Sequence, residues 1–563
     1  MDFKLEFAKA LNKTLALDLD QLLSLIEIPP NPALGDFAFP CFTLSKQLKQ
    51  APAEIAKKLA DQLNSSFFSR FEATGPYLNA FLNKAFFAKD TLSKIEKEKN
   101  KYGAGKEKEK IVIEYCSPNT NKPLHLGHIR NMALGDSLSR IQKFLGKNVK
   151  TVQIINDRGV HICKSMIAYQ KHGKNEKPTI KGDHFVGDYY VIFAKEAKDN
   201  PDLEIEAQEL LKKWEAKEAK VRSLWKKMNK WVMEGFEETY TRFGITFDKN
   251  YFESDFYEKG KAIVTEGLKK GVFVKDDKDA VIAPLQQYGL SDKVILRPDG
   301  TSIYITQDLY LAELRYKDFK FNQLLYVVAS EQNLHFEQLF KILELLQRPF
   351  AKGLVHLSYG MVHLPSGRMK SREGTVIDAD DIMNEIAGMA EEELRKREHN
   401  LTQKELKQRA ESIGLSAIKF FMLKMDATKD IIFNPEESLS FEGETGPYLQ
   451  YTHARATSIL KKATPTKGKI DFNLLQAPEE MAVINLLSQF PNVLKDSAEH
   501  YKPHLVCHYL LALAQAFNGF YHAHPVLSND KKQTASRLLL VKSTKQVLAT
   551  GLTLLGIVPL NEM

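Results

Sequence analysis

The apolar run Ile111-Val112-Ile113 is followed by a polar segment, then by Ile129, Met132, Ala133, Leu138, Ile141 and Leu145 at helical spacing, then by a second apolar run from Val149 to Ile155. Strand, helix and strand in that order predict a parallel, doubly wound α/β sheet, with both strands buried and the helix crossing over between them. The turn from the first strand into the helix is Ser117-Pro118-Asn119-Thr120-Asn121-Lys122-Pro123-Leu124-His125-Leu126-Gly127-His128. A helix start exposes unpaired N–H groups and a positive dipole end, so it attracts phosphate. Gly127 lets a ligand approach the backbone. His125 and His128, three apart, can lean toward one bound group and donate hydrogen bonds to it. Two other readings of the pair are a plain structural turn and a metal site. No Cys pair or nearby carboxylate cluster completes the second.

Composition bounds the partners. The chain has 563 residues, room for several domains, and a net charge of +8, which favours a polyanion. Cys41, Cys116, Cys163 and Cys507 are scattered without a CxxC spacing, which points to a reducing compartment and no zinc finger. No signal-like apolar core opens the chain and no apolar run is long enough to span a bilayer, so a cytoplasmic location is expected.

His125-Leu126-Gly127-His128 resembles the His-x-Gly-His signature of class I aminoacyl-tRNA synthetases, and the longer string from Ser117 resembles its arginyl-tRNA synthetase form. The resemblance covers nearly the whole chain and is densest at 111–160, 300–335 and 440–456. It implies an α+β N-terminal domain at 1–95 that contacts tRNA. A Rossmann-type catalytic domain at 96–430 would follow, with a connective insertion at about 185–290. An all-α anticodon-binding domain would occupy 431–563. It also implies ATP-dependent activation of L-arginine to arginyl-adenylate and transfer to the 3′ end of tRNA(Arg), with Mg²⁺ accompanying ATP, no structural metal, no DNA or membrane partner, and a monomer. Members of the family usually need tRNA for the first step.

Catalytic roles then fall on Lys122, His125, Gly127 and His128. ATP would be held by His125, Gly127 and His128 together with Met361, Val362, Lys370 and Ser371. The last two lie in Ser366-Gly367-Arg368-Met369-Lys370-Ser371-Arg372, where class I synthetases carry Lys-Met-Ser-Lys-Ser. Arg368 stands in place of the first lysine and Ser371 in place of the second. Arginyl enzymes often lack the second lysine, and Lys122 occupies the place of its substitute. The arginine pocket carried over from the family is Glu114, Asn119, Tyr304, Asp308 and Gln332. Tyr304 and Asp308 are expected to hold the planar guanidinium, Glu114 and Gln332 to assist, and Asn119 to orient the backbone groups. Glu114 and Asp308 could instead satisfy internal arginines or helix caps. Contacts to tRNA are expected from Tyr77 and from Tyr448, Tyr451, His453 and Arg455, whose rings and guanidinium suit unstacked bases. Packing is the other reading of the tyrosines. A synthetase for another amino acid, or a tRNA-binding protein without catalysis, stays open at this point, and tRNA charging with each amino acid in turn separates them.

Helices are expected over Leu11 to Ile28, Ala53 to Leu63 and Glu204 to Phe243, and strands at Val294–Arg297, Ser302–Ile305, Leu324–Ala329 and Leu354–Leu364.

Overall fold

The computed structural model describes residues 2–15, 17–301, 303–365, 377–397, 401–463 and 470–563. Its centre is a five-stranded sheet made of β1 (Lys110–Glu114), β2 (Asn148–Ile155), β3 (Lys249–Phe252), β4 (Gln323–Ala329) and β5 (Leu354–Tyr359). All neighbours are parallel, in the order β5-β4-β1-β2-β3. The strands read as unbroken apolar runs because alternate side chains enter two different cores. Ile111, Ile113, Leu325 and Val327 face one, whereas Val112, Val152, Leu324 and Tyr326 face the other.

The connection from β1 to β2 is α1 (Leu126–Phe144). From β2 the chain runs through α2 (Val160–His172), α3 (Gly182–Asp199), α4 (Asp202–Glu215) and α5 (Ala219–Phe243) before reaching the edge strand β3. It then crosses to the other side of β1 through α6 (Tyr304–Phe319) and β4, and α7 (Asn333–Leu345) leads to β5. Order therefore reverses between β1 and β4, and the crevice above their carboxyl ends is the switch point where open α/β sheets bind ligands.

After β5 come α8 (Ala379–Arg397) and α9 (Gln403–Leu423), then a bundle of α10 (Gly446–Lys462), α11 (Pro478–Glu499), α12 (His504–Ala523) and α13 (Lys531–Leu554). The bundle shares one apolar core with the sheet, and the buried Gln142 of α1 donates to the Ala498 carbonyl of α11 at 2.8 Å. At the other end of the chain an antiparallel sheet of 37–40, 77–82 and 68–74 packs around Phe7, Leu22, Phe39, Leu59 and Leu78.

Three sequence expectations change. Leu11 to Ile28 is two helices, Phe3–Leu15 and Leu19–Leu25, because Asp18 accepts from the N–H groups of Asp20 and Gln21 and starts the second. Glu204 to Phe243 breaks at Lys217, whose φ is +62°. Tyr304 and Ile305 are the first turn of α6 and not a strand, while Lys293–Leu296 pairs in a separate small antiparallel sheet. Short β-branched runs suit either conformation, and the helix wins where Ile305, Leu309 and Ala312 reach the core.

Helix α1 approaches β1 so closely that a Cβ on Gly135 would lie 2.2 Å from Tyr115 Cγ. Alanine here gains up to about 1 kcal/mol of helix propensity but overpacks by about 1–3 kcal/mol. Gly135→Ala is expected to lower the urea midpoint, and a raised midpoint would mean that the packing is looser than described.

Candidate active site at the switch point

The chain leaves β1 through a strained turn. Cys116 and Ser117 both have left-handed backbones, with φ of +71° and +48°. Fixed bonds hold them there. The Cys116 N–H donates to Asn131 Oδ1 at 2.5 Å, and Ser117 Oγ donates to Glu114 Oε1 at 3.2 Å while accepting from the Ile154 N–H at 3.3 Å. The far end of Asn131 donates to the Val327 carbonyl and the Tyr359 hydroxyl, at 2.8 and 3.1 Å. One α1 side chain thus ties together the ends of β1, β4 and β5.

The two histidines begin α1 as a reciprocal cap. The Gly127 N–H donates to His125 Nδ1 at 3.1 Å, and the His125 N–H donates to His128 Nδ1 at 3.1 Å. The rings lie 4.0 Å apart by centroid. Gly127 suits this packing, because a Cβ there would meet His125 Cε1 at 3.0 Å and push the ring by a few tenths of an ångström. Since both Nδ1 atoms accept from the backbone, each neutral ring must carry its proton on Nε2. Burial, reinforced by Lys122, lowers His125 to about 4. Burial, His125 and Lys122 push His128 well below the usual imidazole range. The helix start therefore offers two uncharged Nε2–H donors with an ammonium nearby.

Carboxyls gather on the neighbouring side of the crevice. Glu114, at the end of β1, is buried and ion-paired with Arg315 of α6, itself fully enclosed. Burial raises Glu114 above the ordinary carboxyl range, Arg315 opposes this, and Asp308 adds to it. Asp308 accepts from or pairs with His335 Nε2 at 2.7 Å. Glu253 and Asp157, at the carboxyl ends of β3 and β2, are pushed up to about 7 and about 6, in both cases mainly by burial. Arg158, 3.4 Å from Glu253, is the cation that opposes the Glu253 shift. The field on this side favours an added cation.

Placement of the other expected residues is mixed. Asn119 is exposed and bridges to Asn156 at the end of β2. Gln332 is exposed in the turn after β4. Tyr304 is 74% exposed on the first turn of α6 and does not wall off the carboxyls. The Glu114–Arg315 pair is the internal satisfaction that stood as the alternative, so Glu114 can help a ligand only while shared with Arg315. Met361 and Val362 follow β5, where Val362 pairs with Ile431. Lys370 and Ser371 lie outside the described residues.

Sequence reasoning passed over Arg130. It is fully buried, and its guanidinium donates to the carbonyls of Gly360, Met361, Ala427 and Lys429 at 2.7–3.3 Å, fixing the Met361 turn to the histidine helix. Glu253 and His335 were missed as well, whereas Asn156-Asp157-Arg158-Gly159 is placed by the sequence at the carboxyl end of the second strand, where such sheets bind ligands. An acidic residue ending a short strand was the available signal for Glu253.

Among the described residues, Asp183, His184 and Asp380 could converge on a metal. The Lys181 ammonium already fills that place, 2.9 Å from Asp183 and 2.7 Å from Asp380.

On the bundle, Tyr451 and Arg455 of α10 stand between two grooves of about 740 and 670 Å³. Tyr448, Phe441 and His522 line the first; Lys461, Lys462 and Tyr521 line the second. Asn518 bonds both Tyr448 and Arg455, at 2.9 and 2.6 Å. His453 is corrected: it is 2% exposed and its Nδ1 is held by the Leu560 carbonyl at 2.7 Å, so it packs the C-terminal segment and faces no base. Tyr77 is half-buried, edge-on to the exposed Phe42 at 5.9 Å. No described helix is long and apolar enough to cross a membrane.

A doubly wound sheet with a histidine-capped helix at its switch point defines the catalytic fold of class I aminoacyl-tRNA synthetases. The family model described as tRNA synthetases class I (R), catalytic domain, matches residues 91–435. The DALR anticodon binding domain matches 449–563 and the arginyl tRNA synthetase N terminal domain 1–82. The arginine–tRNA ligase of Treponema denticola is 48% identical, covering 96% of this chain and 94% of that protein, and that of Borrelia turicatae is 41% identical over 97% and 96%. The solved Thermus thermophilus arginyl-tRNA synthetase superposes with a TM-score of 0.80 at 27% identity, covering 100% of this chain and 99% of that one. The chain belongs to the arginyl-tRNA synthetase family, the arginine–tRNA ligases of class I.

The cap makes a spectroscopic prediction. At pH 6 both rings are expected to be neutral with the proton on Nε2, as read by ¹⁵N NMR of labelled histidine. Imidazolium shifts for either ring at that pH would contradict the arrangement.

Proposed function

We propose that the switch-point crevice carries out both steps of arginine–tRNA ligation, with the triphosphate of ATP on the histidine side and the arginine side chain on the carboxyl side. The observation that carries this is the pair of imidazoles whose Nδ1 atoms are locked to the backbone, which leaves their protons on Nε2, set at a helix start beside an acid-rich wall. In the first step an oxygen of the arginine carboxylate attacks the α-phosphorus of ATP and pyrophosphate leaves. The substrate is its own nucleophile, so the protein has to align it and stabilise charge growing on the phosphates. His125 and His128 donate to that charge through their Nε2–H groups, and Lys122 neutralises part of it; the N–H groups opening α1 are already bonded to the two imidazoles and to backbone carbonyls. Mg²⁺ would come with the nucleotide and neutralise phosphate charge, and Asp183, His184 and Asp380 would not hold it, since Lys181 already pairs with both carboxylates. Met361 and Val362 hold the base end of ATP, with Arg130 fixing their turn; Lys370 and Ser371 are assigned to the phosphates.

Arginine enters with its guanidinium toward Asp308, which exchanges His335 for the ligand, and with Glu114, Tyr304 and Gln332 around it. The exposed Tyr304 has to swing over the pocket to take part. Asn119 orients the substrate amino and carboxylate groups. In the second step a terminal ribose hydroxyl of tRNA attacks the arginyl carbonyl and AMP leaves. Tyr77, with Phe42 beside it, meets the body of the tRNA, while Tyr448, Tyr451 and Arg455 take anticodon bases in the two bundle grooves by stacking. We further assign 1–95, 96–430 and 431–563 as the three working units, an insertion at about 185–290, a cytoplasmic monomer, and a first step that requires tRNA.

Charging of tRNA(Arg) with arginine, ATP and Mg²⁺ is the direct test, and charging with another amino acid in its place would overturn the assignment. Two substitutions probe the roles. Asp308→Ala is expected to raise the KM for arginine about 30-fold, as for loss of a partly buried charge partner, and to leave the KM for ATP within a few-fold; equal losses would remove Asp308 from the pocket. His128→Ala is expected to slow adenylate formation about 10²- to 10³-fold with the fold intact by circular dichroism, and normal turnover would take His128 out of the mechanism.

A further inference from the structure

One buried cation lies outside the crevice and is used by none of the chemistry above. Lys419 of α9 is 4% exposed. Its ammonium donates to the carbonyls of Phe243 and Gly556, at 2.6 and 2.7 Å. Phe243 is the last residue of α5, and Gly556 closes the turn after α13. Both are negative ends of helix dipoles, which suit a cation. Among the described ion pairs none includes Lys419, and burial lowers it to about 8.

The same junction receives helix α1. Arg140 pairs with Asp136 at 2.7 Å and donates to the Gly244 carbonyl at 3.0 Å, beside the Phe243 carbonyl that Lys419 holds. Asp136 touches the C-terminal turn directly: a Cβ on Gly556, whose φ is +70°, would lie 2.7 Å from Asp136 Oδ2 and 3.4 Å from Lys419 Nζ. The catalytic helix, the end of the insertion helix α5, α9 and the end of the bundle therefore meet around one ammonium.

Contacts run outward in both directions. Asp136 stands about 16 Å along α1 from His125, at 1.5 Å per residue of an unbroken helix. On the other side, the chain beyond Gly556 grips α10 through Gln450 Nε2 to the Val558 carbonyl at 2.8 Å and His453 to the Leu560 carbonyl at 2.7 Å. Helix α10 carries Tyr448, Tyr451 and Arg455. The cavity of about 360 Å³ beside the junction is lined by Arg140, Arg242 and Lys419. These cations are already matched, Arg242 by both oxygens of Glu411, so the junction is a tie between elements and not a ligand site.

We propose that Lys419 is a positioning residue that couples the tRNA-contacting face of α10 to His125 and His128, through the turn at Gly556 and the body of α1. The inference rests on the tRNA-dependent ligase reading above. A stiff, packed route with discrete bonds can carry such coupling, but only a measured coupling establishes it.

The test uses the full chain with Lys419→Met, which keeps length and apolar packing and removes the donor. Three quantities are read: the Kd for tRNA(Arg), the KM for ATP, and the single-turnover rate of adenylate formation with saturating tRNA. The expected result is a Kd within about twofold of the parent and a rate at least tenfold slower. An unchanged rate would overturn the proposal. So would a rate and a Kd lost in proportion, because that is what simple loosening of the bundle gives. Arg140→Gln, at a partly exposed site that ties α1 to the same junction, is measured alongside. It is expected to show the same split, and it decides the question if Lys419→Met does not fold: no split in Arg140→Gln then overturns the proposal. A parent protein that charges no arginine would sink the ligase reading itself, a result separate from a parent that charges normally and a variant that matches it.

Discussion

The start of helix α1 has four backbone N–H groups with no partner inside the helix, and how they are satisfied governs the rest of the molecule. Here the first turn is closed by two imidazoles, each accepting one backbone N–H through Nδ1. That choice orients the rings and sets their tautomers, with the proton of each neutral ring on Nε2. It also favours Gly127, since a Cβ would press on the His125 ring. A serine or aspartate cap would stabilise the helix as well, at about 1 kcal/mol, but would supply no donors aimed outward. The same two side chains cap the helix and fix each other's tautomer.

The helix so begun is also the mechanical axis of the protein. Asn131 binds three strand ends, Arg130 fixes the turn after β5, Asp136 and Arg140 reach the C-terminal turn, and Gln142 reaches the bundle. Nearly the whole helix is buried, which explains why its apolar periodicity looks diluted by polar residues. Arg130, Asn131, Arg140 and Gln142 among them are bonded across elements that lie far apart in the chain, whereas Ser139 bonds within the helix. Each is costly to bury unpaired and so demands its partner.

The crevice holds two electrostatic environments side by side. On the histidine side, low dielectric and Lys122 keep the rings neutral, so they donate without competing charge of their own. On the carboxyl side, burial raises Glu114 against Arg315, Glu253 against Arg158, and Asp157 against its hydrogen bonds from Ser254. A cationic ligand relieves that imbalance, and a polyanionic ligand is best received a few residues further along the same loop. The separation follows from the sheet: β1 ends at the switch point, with the Glu114 side chain turned toward α6 and the following loop turned toward α1.

Local order and the position of the helix start at His125 were legible in the chain. The strand–helix–strand pattern predicts a parallel sheet because only apolar runs survive burial on both faces, and the Ser117–His128 segment announces a helix start built for an anion. Short-range ambiguity was not resolvable there. Ser302–Ile305 has strand-like residues, yet Ile305 and Leu309 find the core as a helix, and the break at Lys217 depends on one left-handed residue. Tertiary structure alone decided what long-range partners decide: that Glu114 shares its charge with Arg315, that His453 is spent on the Leu560 carbonyl, that Tyr304 stands open, and that Lys419 is buried between two helix ends. Periodicity and capping are encoded within a few residues, whereas the partner of a buried charge is fixed only when distant segments are packed together.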